Sequence, residues 1–223
     1  MFSAHVQEVW RNWKSLDPYG WNTSLLHLIR DVSRPPKVSF FTLLCTLLSQ
    51  IISANVSDLV AFILSAGSMI GLNKDDEETQ EARIKKGLRP RVRPINQGSL
   101  FLKLGFDIAL RSAAAQEAAR RLLPVQQGIG AKRGMEMIAH VASACYSQGF
   151  AILKLDASNG FQEIKRAQLH DAMRRRCPSL LNLFKRYYTK VATCFFELNG
   201  DVRMIQATEG ARIGCKMSSF GLL

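Results

Sequence analysis

Cysteine is sparse and unpaired in this 223-residue chain. Cys45, Cys145, Cys177, Cys194 and Cys215 are odd in number and scattered, with no Cys-x-x-Cys pair and no histidine at zinc spacing. A disulfide framework and a zinc finger are thereby excluded, and free thiols in a reducing, intracellular compartment, nuclear or cytoplasmic, are expected. The four histidines, His5, His27, His140 and His170, lie in helical or terminal contexts and form no set with a serine and a carboxylate. There are no internal repeats and no low-complexity tract. No secretory signal is expected at the start, because His5, Glu8, Arg11 and Lys14 interrupt any apolar run. Acidic residues are also scarce: 18 Asp and Glu face 30 Lys and Arg, giving a formal charge of +12 and a pI near 9.8. That balance favours polyanionic partners, either nucleic acid or an anionic lipid surface.

What is present is enough apolar residue for a real core, 47% of the chain. Residues 38 to 57 carry no charge, yet Ser39, Thr42, Thr46, Ser49, Gln50, Ser53 and Asn55 interrupt them. A buried helix suits this pattern better than a membrane span, so no membrane partner is expected; a small basic membrane-surface protein is the competing reading. Helices are expected over residues 40 to 52 and 57 to 65, then a short strand over 69 to 72. An acidic run, Asp75-Asp76-Glu77-Glu78, gives way to Arg83, Lys85, Lys86, Arg89, Arg91 and Arg93, which reads locally as a solvated loop. Arg91-Val92-Arg93-Pro94-Ile95 alternates basic and apolar side chains ahead of an extended pre-proline residue, so both arginines leave one strand on the same side. One long helix is expected from 99 to 123, a glycine loop from 128 to 134, and a helix from 135 to 147. Residues 150 to 155 read as a buried strand ending on Asp156, followed by helices over 163 to 176 and 179 to 188. Asn199-Gly200 then joins two strands, since a two-residue hairpin wants positive φ at both central positions. The fold class is α+β, helix-rich with a small antiparallel sheet.

Two stretches admit chemistry on local grounds. A carboxylate at the end of a buried strand, followed by Ala157-Ser158-Asn159-Gly160, can hold Mg²⁺, and equally Asp156 and Asn159 can shape a turn and cap the next helix. The glycine loop has Lys132-Arg133-Gly134 where a phosphate-cradling Walker loop needs Gly-Lys followed by Ser or Thr, so a nucleotide-hydrolase reading is weak.

Taken in order, several signals from about residue 64 to 223 resemble the reverse transcriptases of non-LTR retroelements. Ile70-Gly71-Leu72-Asn73-Lys74 resembles the first fingers strand, and Arg93-Pro94-Ile95 with Gly98-Ser99 resembles the R-P-I-x-x-G-S block. Pro124-Val125-Gln126-Gln127-Gly128 with Gly130, Gly134 and Glu136 is similar to a P-x-Q-x-G segment. Leu155-Asp156-Ala157-Ser158-Asn159-Gly160-Phe161, with Ile164 and Arg166, is similar to motif A, D-x-x-N-A-F-x-x-I-x-R. Residues 209 to 220 resemble motif B, with Gly214 and Ser218 kept, but Ile213 stands where glutamine is usual, Cys215-Lys216 where Asp-Pro is usual, and Ser219 where proline is usual. Motif C, an x-x-D-D turn, is not found after motif B, and Asp75-Asp76 lie upstream in the charged run.

The resemblance implies right-hand polymerase fingers over residues 38 to 149 and a partial palm over 150 to 223 that carries motifs A and B, with motif C and thumb absent. Residues 1 to 37 are an extension without a functional reading. It further implies that Asp156 and the carbonyl of Ala157 bind two Mg²⁺ ions, or Mn²⁺, for phosphoryl transfer. Arg93, assisted by Lys74, would hold the triphosphate, Phe161 would lie under the incoming sugar, and Gly214 would face the substrate. Core packing is the competing reading of Phe161. Lys85, Lys86, Arg89 and Arg91 would contact template or primer phosphates. The implied partners are an RNA template, a DNA primer and deoxynucleoside triphosphates. The expectation is a polymerase fragment inactive as this isolated chain; the alternative is a non-catalytic, basic nucleic-acid-binding remnant of a decayed retroelement.

Overall fold

The computed structural model describes residues 17, 19, 21, 40–129, 131–156, 159–188, 191–198, 200–212 and 215–221. Among these, two helices, α1 (Phe40–Ile52) and α2 (Asp58–Ser65), lead into a strand, β1 (Gly67–Asn73). Ser57 caps α2 by accepting the Val60 amide, one of the orphan donors of a helix start. The uncharged stretch thus lies mainly in α1, of which only Leu44, Leu48 and Ile51 are buried, on one face at helical spacing. Among the described residues no helix is long and apolar enough to cross a membrane.

The charge inversion forms a helix, α3 (Glu77–Lys85), and not the loop that its composition predicts. Asp76 accepts the Thr79 amide at 2.8 Å as its N-cap, Glu77 and Glu78 occupy the first turn, and Arg83 and Lys85 the last. The sign change along the run therefore matches the helix dipole. The chain returns as β2 (Val92–Gly98), antiparallel to β1, with Arg93 opposite Leu72.

The expected long helix after Ser99 is two, α4 (Leu100–Leu110) and α5 (Ala113–Arg120), because Ser112 accepts the Ala115 amide and starts a new one. α4 is the centre of the core, with Leu100, Leu102, Leu104 and Phe106 buried. It packs on α1 at Gly105, where a Cβ would stand 2.8 Å from Ile51 Cγ2, so only glycine permits that approach. Asp17 ties down its start, Oδ2 accepting the Leu100 amide at 2.8 Å.

The helix α6 (Gly134–Ser147) follows, then a single turn, α7 (Gly160–Glu163), α8 (Arg166–Arg176), a 3-10 turn at Pro178–Leu180 and α9 (Leu181–Tyr188). Tyr187 and Tyr188 of α9 are sealed in the core, Tyr187 edge-on to Phe106 at 5.8 Å and Tyr188 stacked on Phe184 at 4.8 Å. The hairpin is formed by β3 (Ala192–Leu198) and β4 (Asp201–Ala207), with Gly200 at φ +84; Asn199 lies outside the described residues. A final helix, α10 (Lys216–Gly221), packs on α4 and α8.

The architecture is α+β, with strand order β2-β1-β3-β4. The sheet is mixed and not wholly antiparallel: β1 meets β3 in parallel at Gly67 with Cys194 and Ser68 with Phe195. All five cysteines are free thiols.

One expected element is missing. Residues 150 to 156 have no regular structure and are exposed, Leu153 at 80% and Leu155 at 82%. Their apolar character matches a buried strand, but a strand is defined by its neighbour, and all the hydrogen-bonded neighbours in the sheet are supplied by β1 to β4. The adjacent α6 does not enclose them either, since Gly134 alone of its residues is buried.

Candidate nucleic-acid interface

The unit β1–α3–β2 projects a set of exposed cations. Lys74, Lys85, Lys86, Arg89, Arg91 and Arg93 all face solvent. Its base is held by the ladder between β1 and β2, extended by the Lys74 amide donating to Arg91 O at 2.9 Å. Its interior is organised by Asp75, whose carboxylate is largely enclosed, 3.4 Å from Arg91 and 3.9 Å from Arg83. Arg83 also donates to the carbonyl of Arg89 at 3.3 Å, closing the turn after α3. Acidic residues in this run therefore act within the fold: Asp76 caps α3 and Asp75 clamps two arginines. The clamp divides the predicted phosphate contacts. Among the described residues, Lys86 and Arg89 are exposed cations without an acid in an ion pair, Lys85 makes a solvated pair with Glu81 at 3.8 Å, and Arg91 is drawn towards Asp75.

The two segments compared with motifs A and B meet. Arg166 donates from Nη2 to Ala207 O at 2.8 Å and from Nε to Gly210 O at 3.2 Å. The amides of Gly210 and Ala211 donate back to Ile164 O at 3.1 Å and Phe161 O at 2.6 Å. Gly210 sits at φ +76, and a Cβ there would come within 2.7 Å of Gln162 O, so a glycine is required on both counts. Burial, then repulsion from Arg212, pushes the Arg166 guanidinium below its ordinary pKa. Phe161 and Ile164 are half-buried against the core, which accords with core packing for Phe161.

Asp156 is exposed at the end of the irregular segment. Ala157 and Gly214 lie outside the described residues. Among the described residues no group of three or more His, Cys, Asp and Glu gathers that could hold a metal ion. In the glycine-rich stretch, Gln126 accepts the Gly128 amide at 2.7 Å and Gln127 donates to Pro124 O at 2.8 Å. Gly134 presses on the Gln127 carbonyl, where a Cβ would meet the oxygen.

Residues given no role by the sequence complete the region behind the segment 209 to 220. Arg212 donates to Tyr187 O at 2.5 Å and lies 4.9 Å over the Tyr188 ring. Tyr188 and Ser218 share a hydrogen bond at 2.5 Å, and burial pushes the Tyr188 phenol well up. Ser218, which matches the motif B pattern, was the signal for this cluster, but its partner on α9 is visible only in space. No known protein-family model matches the chain, and no curated protein matches it.

Proposed function

We propose that this chain binds nucleic acid through the projecting basic unit β1–α3–β2, as fingers joined to a partial palm of reverse-transcriptase type. The observation that carries the reading is the exposure of Lys74, Lys85, Lys86, Arg89 and Arg93 on one structured projection of a chain with formal charge +12. The projection is a strand–helix–strand unit, so the cations are held at fixed spacing, as a phosphate backbone rewards. An RNA template paired with a DNA primer is the proposed ligand, with deoxynucleoside triphosphates and Mg²⁺ or Mn²⁺ as the substrates and metal of the polymerase reaction. The reciprocal hydrogen bonds between residues 161–166 and 207–211 support treating the two motif-like segments as one unit. The location is intracellular, nuclear or cytoplasmic, as the free thiols favour.

A second reading is favoured by one observation, the exposed Asp156 on a segment without regular structure. On that reading the chain is a non-catalytic nucleic-acid-binding remnant. Both readings expect these 223 residues alone to bind without extending a primer, and they part on whether Asp156 has any catalytic use. Binding to an RNA–DNA hybrid as salt rises is the test of the shared claim. Log affinity should fall linearly with log salt, and neutralising Lys85, Lys86, Arg89 and Arg91 together should flatten that line. An unchanged slope would remove the projection from the interface.

A further inference from the structure

A second group of cations lies outside the projection, where α8 ends. Its last turn carries Arg174, Arg175 and Arg176 in succession, all exposed. Buried Cys177 and the 3-10 turn at Pro178–Leu180 follow at once, and that turn packs on α5. Helix α5 also ends on arginines, Arg120 in its last turn and Arg121 at its C-cap. Eight residues of helix are only about 12 Å long, so the basic end of α5 stays close to the turn that it packs on. The fold thereby gathers five cations, all of them arginine, from two helix ends that are distant in sequence.

Two carboxylates serve this group. Glu117 lies 3.3 Å from Arg120 and 3.2 Å from Arg121, and Asp171 lies 2.9 Å from Arg174 and 2.7 Å from Arg175. Each acid is thus shared between two guanidiniums, and Arg176 pairs with no acid among the described residues. Five positive charges against two negative leave an excess of three. The Glu117 and Asp171 side chains are 45% and 40% exposed, unlike the enclosed Asp75, so these pairs are solvated and weak.

A helix end attracts basic residues through its dipole, and that accounts for part of the composition. It does not account for the arrangement. Successive residues of a helix point about 100° apart, so three in a row cannot converge on the same terminal carbonyls. Among the described residues none of the three bonds a carbonyl; Arg174 and Arg175 turn to Asp171 instead. A guanidinium fork matches the paired oxygens of a phosphodiester, which an ammonium does not. Neither helix nor the turn contains Phe, Tyr or Trp, so no aromatic ring is offered here for a base to stack on. The chemistry suits a phosphate backbone contacted without regard to base sequence.

We propose that the arginines at the ends of α8 and α5 form a second phosphate-contacting surface, which holds the backbone of a bound nucleic acid independently of its sequence. The proposal rests on the reading above for its nucleic-acid partner, but not for the projection.

Anisotropy of a labelled RNA–DNA hybrid across a salt series tests it, with the whole 223-residue chain and two multiple variants. One variant combines Arg174→Gln, Arg175→Gln and Arg176→Gln, exposed positions where glutamine keeps helix propensity. The other neutralises Lys85, Lys86, Arg89 and Arg91 on the projection. The triple arginine variant should lower the slope of log affinity against log salt by at least about 0.9, the release from one phosphate, whichever base sequence the hybrid has. An unchanged slope for it, beside a lowered slope for the projection variant, overturns this proposal alone. The reverse result supports this surface and removes the projection from the interface. Unchanged slopes in both overturn both. A measurement on the parent chain needs no variant: modification of arginines by phenylglyoxal, read by peptide mass spectrometry. The hybrid should slow modification of Arg176 at low salt, and high salt should restore it. Equal modification of Arg176 with and without the hybrid overturns the proposal, as does protection by phosphatidylserine vesicles where the hybrid gives none.

Discussion

Arg166 reaches across the chain to Gly210, its Nε 3.2 Å from the glycine carbonyl and its Nη2 2.8 Å from that of Ala207. One guanidinium thereby satisfies main-chain acceptors at the end of the hairpin, and the Gly210 and Ala211 amides return the connection to Ile164 and Phe161. The clasp joins the turn before α8 to the segment before α10.

Arg166→Met keeps most of the side-chain volume and removes every donor. It should lower stability by about 2 kcal/mol, since the freed carbonyls belong to half-buried Ala207 and buried Gly210 and the lost bonds are charge-assisted. Gly210→Ala should cost a similar ~2 kcal/mol through positive φ and the contact with Gln162 O. Urea unfolding followed by circular dichroism reads both. Either variant unfolding at the wild-type midpoint would mean that the clasp does not hold the native state together.

Much of the fold was legible because it is locally encoded. The helix over residues 40 to 52, the strands around Ile70 and Arg93, and the hairpin at Gly200 each follow from periodicity or turn chemistry within a few residues. The failures share a physical cause. Residues 150 to 155 have the composition of a buried strand, but nothing in the sheet pairs with them, and pairing is a property of distant residues. Ser112 was hidden inside an Ala-rich run whose propensity favours one continuous helix, although a serine at that place starts a second. At the candidate interface the basic residues were visible as types. That Asp75 would occupy Arg91 depends on the turn of α3, which charge counting cannot register.

The cap of α3 should respond to acid. The hydroxyl and then the amide of Thr79 donate to Asp76 and hold its carboxyl below the ordinary 3.8. A depressed folded pKa means that the stabilisation is present above the unfolded value and is lost as pH falls below about 3.8 through the lower folded value. Carboxyl chemical shifts of Asp76 followed by NMR should titrate below 3.8, and exchange protection of the Thr79 amide should decline over the same interval. Titration at or above the ordinary value would remove the cap as a pH-sensitive contact. Asp76→Asn, which still accepts the amide, should keep protection of Thr79 through that interval.

The clamp at Asp75 leads to the sharpest test of the interface. Each cation that neutralises a backbone phosphate releases condensed counterions, so removing it reduces the slope of log affinity against log salt by about 0.9 for a duplex. Arg89→Gln removes an exposed charge whose backbone carbonyl, not its guanidinium, is engaged by Arg83. Arg91→Gln removes a charge already shared with Asp75 at 3.4 Å. On an RNA–DNA hybrid, Arg89→Gln should therefore lower the slope by nearly one unit, about 0.9, and Arg91→Gln by distinctly less. Asp75→Asn should act in the opposite direction to both: releasing Arg91 and Arg83 makes them available to phosphate, so affinity at low salt should rise and the slope steepen. Fluorescence anisotropy across a salt series measures all three variants beside the parent chain. Equal slopes for Arg89→Gln and Arg91→Gln would show that the Asp75 clamp opens on binding, and an unchanged slope for Arg89→Gln would place the nucleic acid elsewhere on the molecule.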